Sequence, residues 1–221
     1  MELGLRALGG AEGLLFTTDA DTVPHSDWVS AGREALAVAD VVAGEILRAD
    51  AAADPEQTRV ERYYDRLYRL RRSIDPVVWE APDTHHFSGG ANLAMRASAY
   101  RAIGGFRPLP CGEDATLLDD AARAGFRVRR DAKLRVETSS RRSGRVTGGL
   151  AGSLRAIDAG RQIRVSDPRA GAWQWREQAM ARRSFAMIDQ MSVRVAVGER
   201  LGLSADHVLG VARDCPNAEA F

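Results

Sequence analysis

The chain has 221 residues, 45% hydrophobic and 28% charged, and a formal net charge of +1. That composition suits one globular domain or a domain with a small appendage, and the charge gives no global pull toward nucleic acid or an anionic membrane. No stretch approaches the ~20 apolar residues of a membrane span and the start, Met1 to Arg6, does not read as a signal peptide, so the expected location is cytoplasmic, soluble or peripheral to the membrane. Cys111 and Cys215 match no metal or redox spacing. Lys133 is the only lysine among 31 basic residues, a bias that lowers the weight of any single arginine cluster.

In chain order, Leu14-Leu15-Phe16-Thr17-Thr18 is an apolar run ending in Asp19-Ala20-Asp21. It predicts a buried strand with carboxylates at its C-terminal end, where open α/β sheets place ligands. Pro24 and Ser26 introduce a predicted helix through about Ala39 with Ser26 as N-cap, and Val41 to Ile46 reads as a second strand. Residues 51–55 form a loop, and Glu56 to Ser73 carries Val60, Tyr63, Tyr64, Leu67 and Leu70 at helical spacing. Asp75 to Asn92, with its prolines, His85, His86 and Gly89-Gly90, reads as an irregular loop. Two further helices are expected, Ala97 to Ile103 ending at Gly104-Gly105 and Glu113 to Ala124 with Gly125 in the C′ position. Phe126 to Arg129 and Leu134 to Glu137 alternate around a turn at Asp131-Ala132 and predict two strands. Beyond Ser139 an arginine-rich segment leads to helices near 149–159, 173–191 and 204–213.

Two groups of residues carry chemistry. Asp19 and Asp21 offer oxygen ligands of the type hard divalent cations prefer. A D-x-D tripeptide taken alone is more often a solvated turn. Glu113 and Asp114 open a helix, where carboxylates also simply favour the positive N-terminus. His85-His86 is an adjacent loop pair whose rings point apart, and Trp28 reads as packing. Of the basic residues between 127 and 145, Arg127, Arg129 and Arg130 fit a solvated strand face. Arg141, Arg142 and Arg145 are the better candidates for holding phosphate.

The order Asp19-Ala20-Asp21, then Gly90-Ala91-Asn92-Leu93-Ala94-Met95-Arg96, then Gly104-Gly105-Phe106, then Glu113-Asp114 resembles the family 2 glycosyltransferases. In them a D-x-D strand, a G-x-N-x-A-x-R segment, a G-G-F turn and an E-D pair occur in this order, and the likeness covers about Leu14 to Val136. It implies an α/β fold of GT-A type, an open and mostly parallel sheet with flanking helices. Residues 1–145 would form the catalytic part and 146–221 a C-terminal helical segment, with Leu14 to Thr18 as a central strand. The resemblance also implies Asp19 and Asp21 as metal residues for Mn²⁺ or Mg²⁺ and a donor diphosphate, and Asp114 as general base with Glu113 beside it. Gly89 and Gly90 would lie on the acceptor side, Asn92 would be a hydrogen-bonder either there, toward substrate, or in the core, and Arg141, Arg142 and Arg145 would lie near the diphosphate. The substrates would be a nucleotide sugar and a hydroxyl acceptor, and the outcome inversion. Asp19, Asp21 and Asp114 are then expected to converge on one cleft, on the order of 10 Å across.

The match departs from the family at two points. No histidine follows the strand after the E-D pair, where the sequence reads Val136-Glu137-Thr138-Ser139, and Glu137 is either a substitute oxygen ligand or a solvent-facing residue. Only 18 residues precede Asp19, fewer than the family's nucleotide-binding strands require. The expectation is therefore an N-terminally incomplete sheet with an exposed edge for a partner chain or dimer, and weak activity of the isolated chain. A rival from another class is a non-enzymatic remnant that binds an anionic partner through Arg141, Arg142 and Arg145. A haloacid-dehalogenase-like phosphatase also begins with D-x-D, but its lysine precedes the late acidic pair, whereas Lys133 follows Glu113-Asp114.

Overall fold

The computed structural model describes residues 5, 6, 8, 12–144 and 149–221. Five strands form one sheet: β1 (Leu14–Thr17), β2 (Thr22–Pro24), β3 (Val41–Arg48), β4 (Leu93–Arg96) and β5 (Val128–Thr138), in the order β1-β4-β3-β5-β2. Only β3 and β5 run parallel, and the other three pairings are antiparallel. The sheet is therefore mixed, not mostly parallel, and β1 is an edge strand, not a central one. The cause is β4, which enters antiparallel between β1 and β3 from a segment that reads as part of a motif and not as a strand.

Sheet connectivity fixes where the ends of the sheet lie. Thr17 ends β1 and Thr22 begins β2, so the chain between them reaches at most ~18 Å. Those strands occupy opposite edges, which a flat sheet would hold ~19 Å apart, at four strand spacings. A turn cannot run fully extended, so the sheet curls until its two edges approach at this end. The turn itself is closed by the Thr22 N–H donating to the Asp19 carbonyl at 3.1 Å. Pro24 is tolerated because β2 is the far edge, where a missing N–H breaks no ladder.

Helices cover both faces, as a sheet buried on two sides demands. On one, Leu15, Val41, Ala43, Leu93 and Met95 pack with Leu117 and Leu118 of α4 (Glu113–Arg123) and with α3 (Ala97–Ala102). On the other, Val42, Ala94 and Leu134 meet Ala35 and Leu36 at the end of α1 (Trp28–Ala35). The alternation of Val41 and Ala43 against Val42 is the period of two expected of a strand. Ser26 does not cap α1, whose N-cap Asp27 makes no side-chain capping bond. Helix α2 (Pro55–Ile74) matches its sequence pattern, with Pro55 in the first turn and Arg71 and Arg72 in the last.

The expected turn at Asp131-Ala132 is instead an irregularity inside one long strand. Pairing with β3 jumps from Gly44↔Asp131 to Glu45↔Arg135. The Asp131 carboxylate accepts from Lys133 N at 3.0 Å and Arg129 Nε at 2.8 Å, so the turn-forming side chain makes a local bulge and the strand continues. Gly44 is needed opposite it, since a Cβ there would collide with Asn92 Nδ2 and the Leu134 carbonyl oxygen.

C-terminal to the sheet come α5 (Leu150–Asp158), α6 (Pro168–Ser184), α7 (Met191–Leu201) and α8 (Ala205–Asp214). The helix expected over 173–191 ends early, because a 3-10 turn at Phe185–Met187 separates α6 from α7. Ile188, Val197, Val208 and Ala212 form a core of their own. Arg182 of α6 ties this segment to buried Asp75, and Asn217 Nδ2 donates to the Gly125 carbonyl at 2.8 Å. Among the described residues, no helix is long and apolar enough to cross a membrane.

Candidate functional site

Where the sheet edges approach, a cleft of about 540 Å³ opens, within the size range of small-molecule sites. It is lined by Asp19 and Asp21 from the turn after β1, Glu113 and Asp114 from the start of α4, Gly90, and Arg141 beyond β5. The fold thus brings together carboxylates that lie more than ninety positions apart in sequence. Gly112 lets α4 start here: its φ of 80° is in the left-handed region, which glycine adopts at little cost.

Asp114 is held in place by two backbone donors. Its Oδ2 accepts from Gly90 N at 2.7 Å and its Oδ1 from Ala115 N at 2.7 Å. Each carboxylate oxygen has a second lone pair, so the group stays able to accept a proton while its orientation is fixed. Asp21 pairs with Arg141, Nε to Oδ2 at 3.0 Å, and its carbonyl accepts from Ser139 N at 3.3 Å. Asp19 has its pKa raised, first by burial and then by the negative charges of Asp21, Asp114 and Glu113, with Arg141 opposing. Among the described residues, four carboxylates and one arginine line the cleft, which makes this wall acidic.

A divalent cation is the group this charge invites. Among the described residues, no cluster of three or more His, Cys, Asp or Glu is arranged to hold a metal. Asp19 and Asp21 supply two oxygen-bearing side chains, and Mg²⁺-type ions commonly take one or two carboxylates and complete their shell with water and substrate phosphate. The donor set fits on those terms.

Several residues singled out in the sequence lie elsewhere. Asn92 is fully buried below the cleft: its Nδ2 donates to the carbonyls of Glu45 and Leu134, each at 2.8 Å, and its Oδ1 accepts from Trp28 Nε1 at 2.8 Å. Its polar groups are spent in the core, so it does not contact a ligand in this cleft. Gly89 packs beside Ile46 and near Asp114 but does not line the cleft, whereas Gly90 does. Arg142 points away, bound to buried Asp54 and to Asp158 at 2.9 Å. Arg145 lies outside the described residues. Glu137 is exposed and not part of the lining; Thr138 and Ser139 are.

His85 and His86 have structural roles. Burial pushes His85 down to about 3, which keeps it neutral, and His86 Nδ1 meets Asp65 Oδ1 at 2.7 Å. Arg127, Arg129 and Arg130 are not a solvated face. Arg127 grips Asp40 with two side-chain bonds of 3.0 Å, Arg129 pairs with Asp131, and Arg130 lies 4.2 Å from the Tyr68 ring centroid. Cys111, Ser143, Gly149 and Leu150 line the cleft without having been anticipated. The only advance sign was their nearness in sequence to Glu113 and Arg141.

Fold and cleft together define an α/β protein with a carboxylate-lined site at the curled end of a mixed sheet. Compared with models of known protein families the chain gives no match, and compared with curated proteins it gives none either.

Proposed function

We propose that the chain is an inverting, metal-dependent glycosyltransferase of GT-A-like architecture, acting on a nucleotide-sugar donor and a hydroxyl acceptor. The observation that carries this reading is the convergence of Asp19, Asp21, Asp114 and Arg141 on one cleft, in support of the motif order in the sequence. Asp114 takes the proton of the acceptor hydroxyl as its oxygen attacks the anomeric carbon. The bond from that carbon to the diphosphate breaks on the opposite side, and its electron pair leaves with the diphosphate oxygen. The backbone donors at Gly90 and Ala115 hold the base in position, which is where most of the benefit of a weak carboxylate base lies. A divalent cation bound by Asp19 and Asp21 would supply charge to stabilise the departing diphosphate, as Arg141 beside Asp21 would.

The test is calorimetry of nucleotide sugars with and without Mn²⁺, followed by assay of nucleoside diphosphate release with a panel of hydroxyl acceptors. Donor binding that requires Mn²⁺, and a loss of turnover of about 10²-fold or more in Asp114→Asn with folded circular dichroism retained, are the expected results. Turnover in Asp114→Asn within a few-fold of the unaltered chain would remove Asp114 as the base.

A further inference from the structure

A second charged site lies away from the carboxylate cleft. It is reached at the other end of α4, where Arg123 stands nine positions beyond Asp114, or about 13 Å along the helix axis. A cavity of about 410 Å³ opens between α2, α4, α6 and residues 218–221, and a smaller one of about 90 Å³ shares Arg71 and Arg182 with it. The Nε atoms of Arg71, Arg130 and Arg182 are all buried without a hydrogen-bond partner, and all three residues line the smaller cavity. An arginine-rich composition accounts for arginines on a surface. It does not account for three half-buried arginines whose Nε donors are withdrawn from water and unspent, an arrangement that is costly unless something fills it.

Arg71 is the clearest case. Among the described residues it makes no ion pair, and its guanidinium only lies against the Tyr68 ring, 5.5 Å from the centroid. Burial lowers its pKa, and the like charges of Arg72 and Arg130 add to the effect. Of the nearby carboxylates, Glu80 is paired with Arg72, while Asp75 meets Arg182 through Oδ1 only; its buried Oδ2 has no partner, and its charge partly offsets the like charges acting on Arg71. Asp119 and Glu219 remain in the cavity walls to face Arg71, Arg123 and Arg130. Arg123 has one loose contact, 3.6 Å to Asp120, and is largely exposed.

We propose that this paired cavity binds a phosphate-bearing anion, with Arg71, Arg130 and Arg182 as inner donors and Arg123, Gln174 and Gln178 at the mouth. Guanidinium forks approaching from α2, β5 and α6 match a tetrahedral oxyanion, which has an oxygen for each, better than a planar carboxylate, which has two. The glutamines lie one turn apart on α6 and present amide donors on the same side. This inference does not rest on the transferase reading.

The test is thermal unfolding of the full 221-residue chain in phosphate-free buffer at constant ionic strength. Inorganic phosphate and glycerol phosphate are titrated in parallel, so that free phosphate and a phosphate ester are told apart as occupants. Either ligand is expected to raise Tm. Arg71→Met is expected to raise Tm in the absence of phosphate, because it removes an unpaired buried charge, and to weaken the phosphate response at least tenfold. Arg123→Gln, on an exposed side chain, is expected to weaken the response several-fold with little change in phosphate-free Tm, and Arg141→Ala in the other cleft to leave the response intact. The proposal fails if neither ligand raises Tm, if Arg71→Met lowers phosphate-free Tm or does not fold, if the response survives Arg71→Met, or if it disappears in Arg141→Ala.

Discussion

Replacing Asn92 by alanine tests whether this residue holds the fold together beneath the cleft. Its amide orientation is forced: Trp28 Nε1 is only a donor and the Glu45 and Leu134 carbonyls are only acceptors, so Oδ1 must face the first and Nδ2 the other two. Asn92→Ala deletes three hydrogen bonds, worth about 1 kcal/mol each, and strands their partners in a place where Asn92 itself is 0% exposed. Adding the small cavity, the expected loss is about 3–5 kcal/mol. With a urea slope of about 2 kcal/mol/M the midpoint should fall by about 2 M. Asn92→Asp keeps the shape but points an oxygen at two carbonyl oxygens, so it should be at least as damaging at neutral pH and partly recover in acid. Equilibrium urea unfolding followed by tryptophan fluorescence measures both. A loss below about 1 kcal/mol in Asn92→Ala would refute the structural role and return Asn92 to the acceptor side of the site.

Arg48→Met should destabilise by about 2–3 kcal/mol in the same unfolding assay, because Arg48 is 7% exposed and its guanidinium bonds Asp54, Thr58 and Glu61, so that Glu61 loses its cation and buried Asp54 is left with Arg142 alone; an unchanged midpoint would contradict this. Asp19→Asn should raise Tm at neutral pH, by the few tenths of a kcal/mol typical of exposed charges, and should abolish any Mn²⁺-dependent rise. The sign follows from linkage: a raised folded-state pKa means the native chain binds this proton more tightly than the unfolded chain. Asp19 therefore subtracts stability above its folded pKa and stops doing so below its ordinary value, and the gain from Asp19→Asn should vanish as pH falls through that window. A gain that persists or grows in acid would show that the partly buried, charge-crowded carboxylate form of Asp19 is not its cause.

What could be read in the sequence follows from how local each signal is. Strands β1 and β3 announce themselves as apolar runs, α2 by its helical spacing, and α4 by Gly125 just past its end, since all of these are encoded within a few adjacent residues. Strand β2 has three residues, too short for periodicity to register, and β4 reads Leu-Ala-Met-Arg, with no β-branched or aromatic residue to mark it as the run in β1 is marked by Phe16 and Thr17; missing β4 turned an edge strand into an expected central one. The bulge in β5 was misread because Asp131 carries real turn chemistry that the parallel partner β3 overrides. Asp19, Asp21, Glu113 and Asp114 were legible because each sits at the end of a recognisable element. Asn92 and Arg142 were not, because their partners are distant in sequence: Leu134 lies 42 positions from Asn92, and Asp54 lies 88 from Arg142.

The two adjacent arginines show how packing separates residues that sequence treats alike. Arg142 is bound to Asp54, whose side chain is 3% exposed, and also to Asp158; pulling it toward a ligand would break both contacts and leave the buried Asp54 carboxylate to Arg48 alone. Arg141 is 54% exposed and its partner Asp21 is 25% exposed, a pair of the kind worth about 0–1 kcal/mol. The Arg141–Asp21 contact can therefore open for little. On the transferase reading, entry of a metal and a diphosphate would exchange this weak internal pair for two charge-assisted contacts, a cation for Asp21 and a phosphate oxygen for Arg141, and of the two adjacent arginines only Arg141 is free to take part.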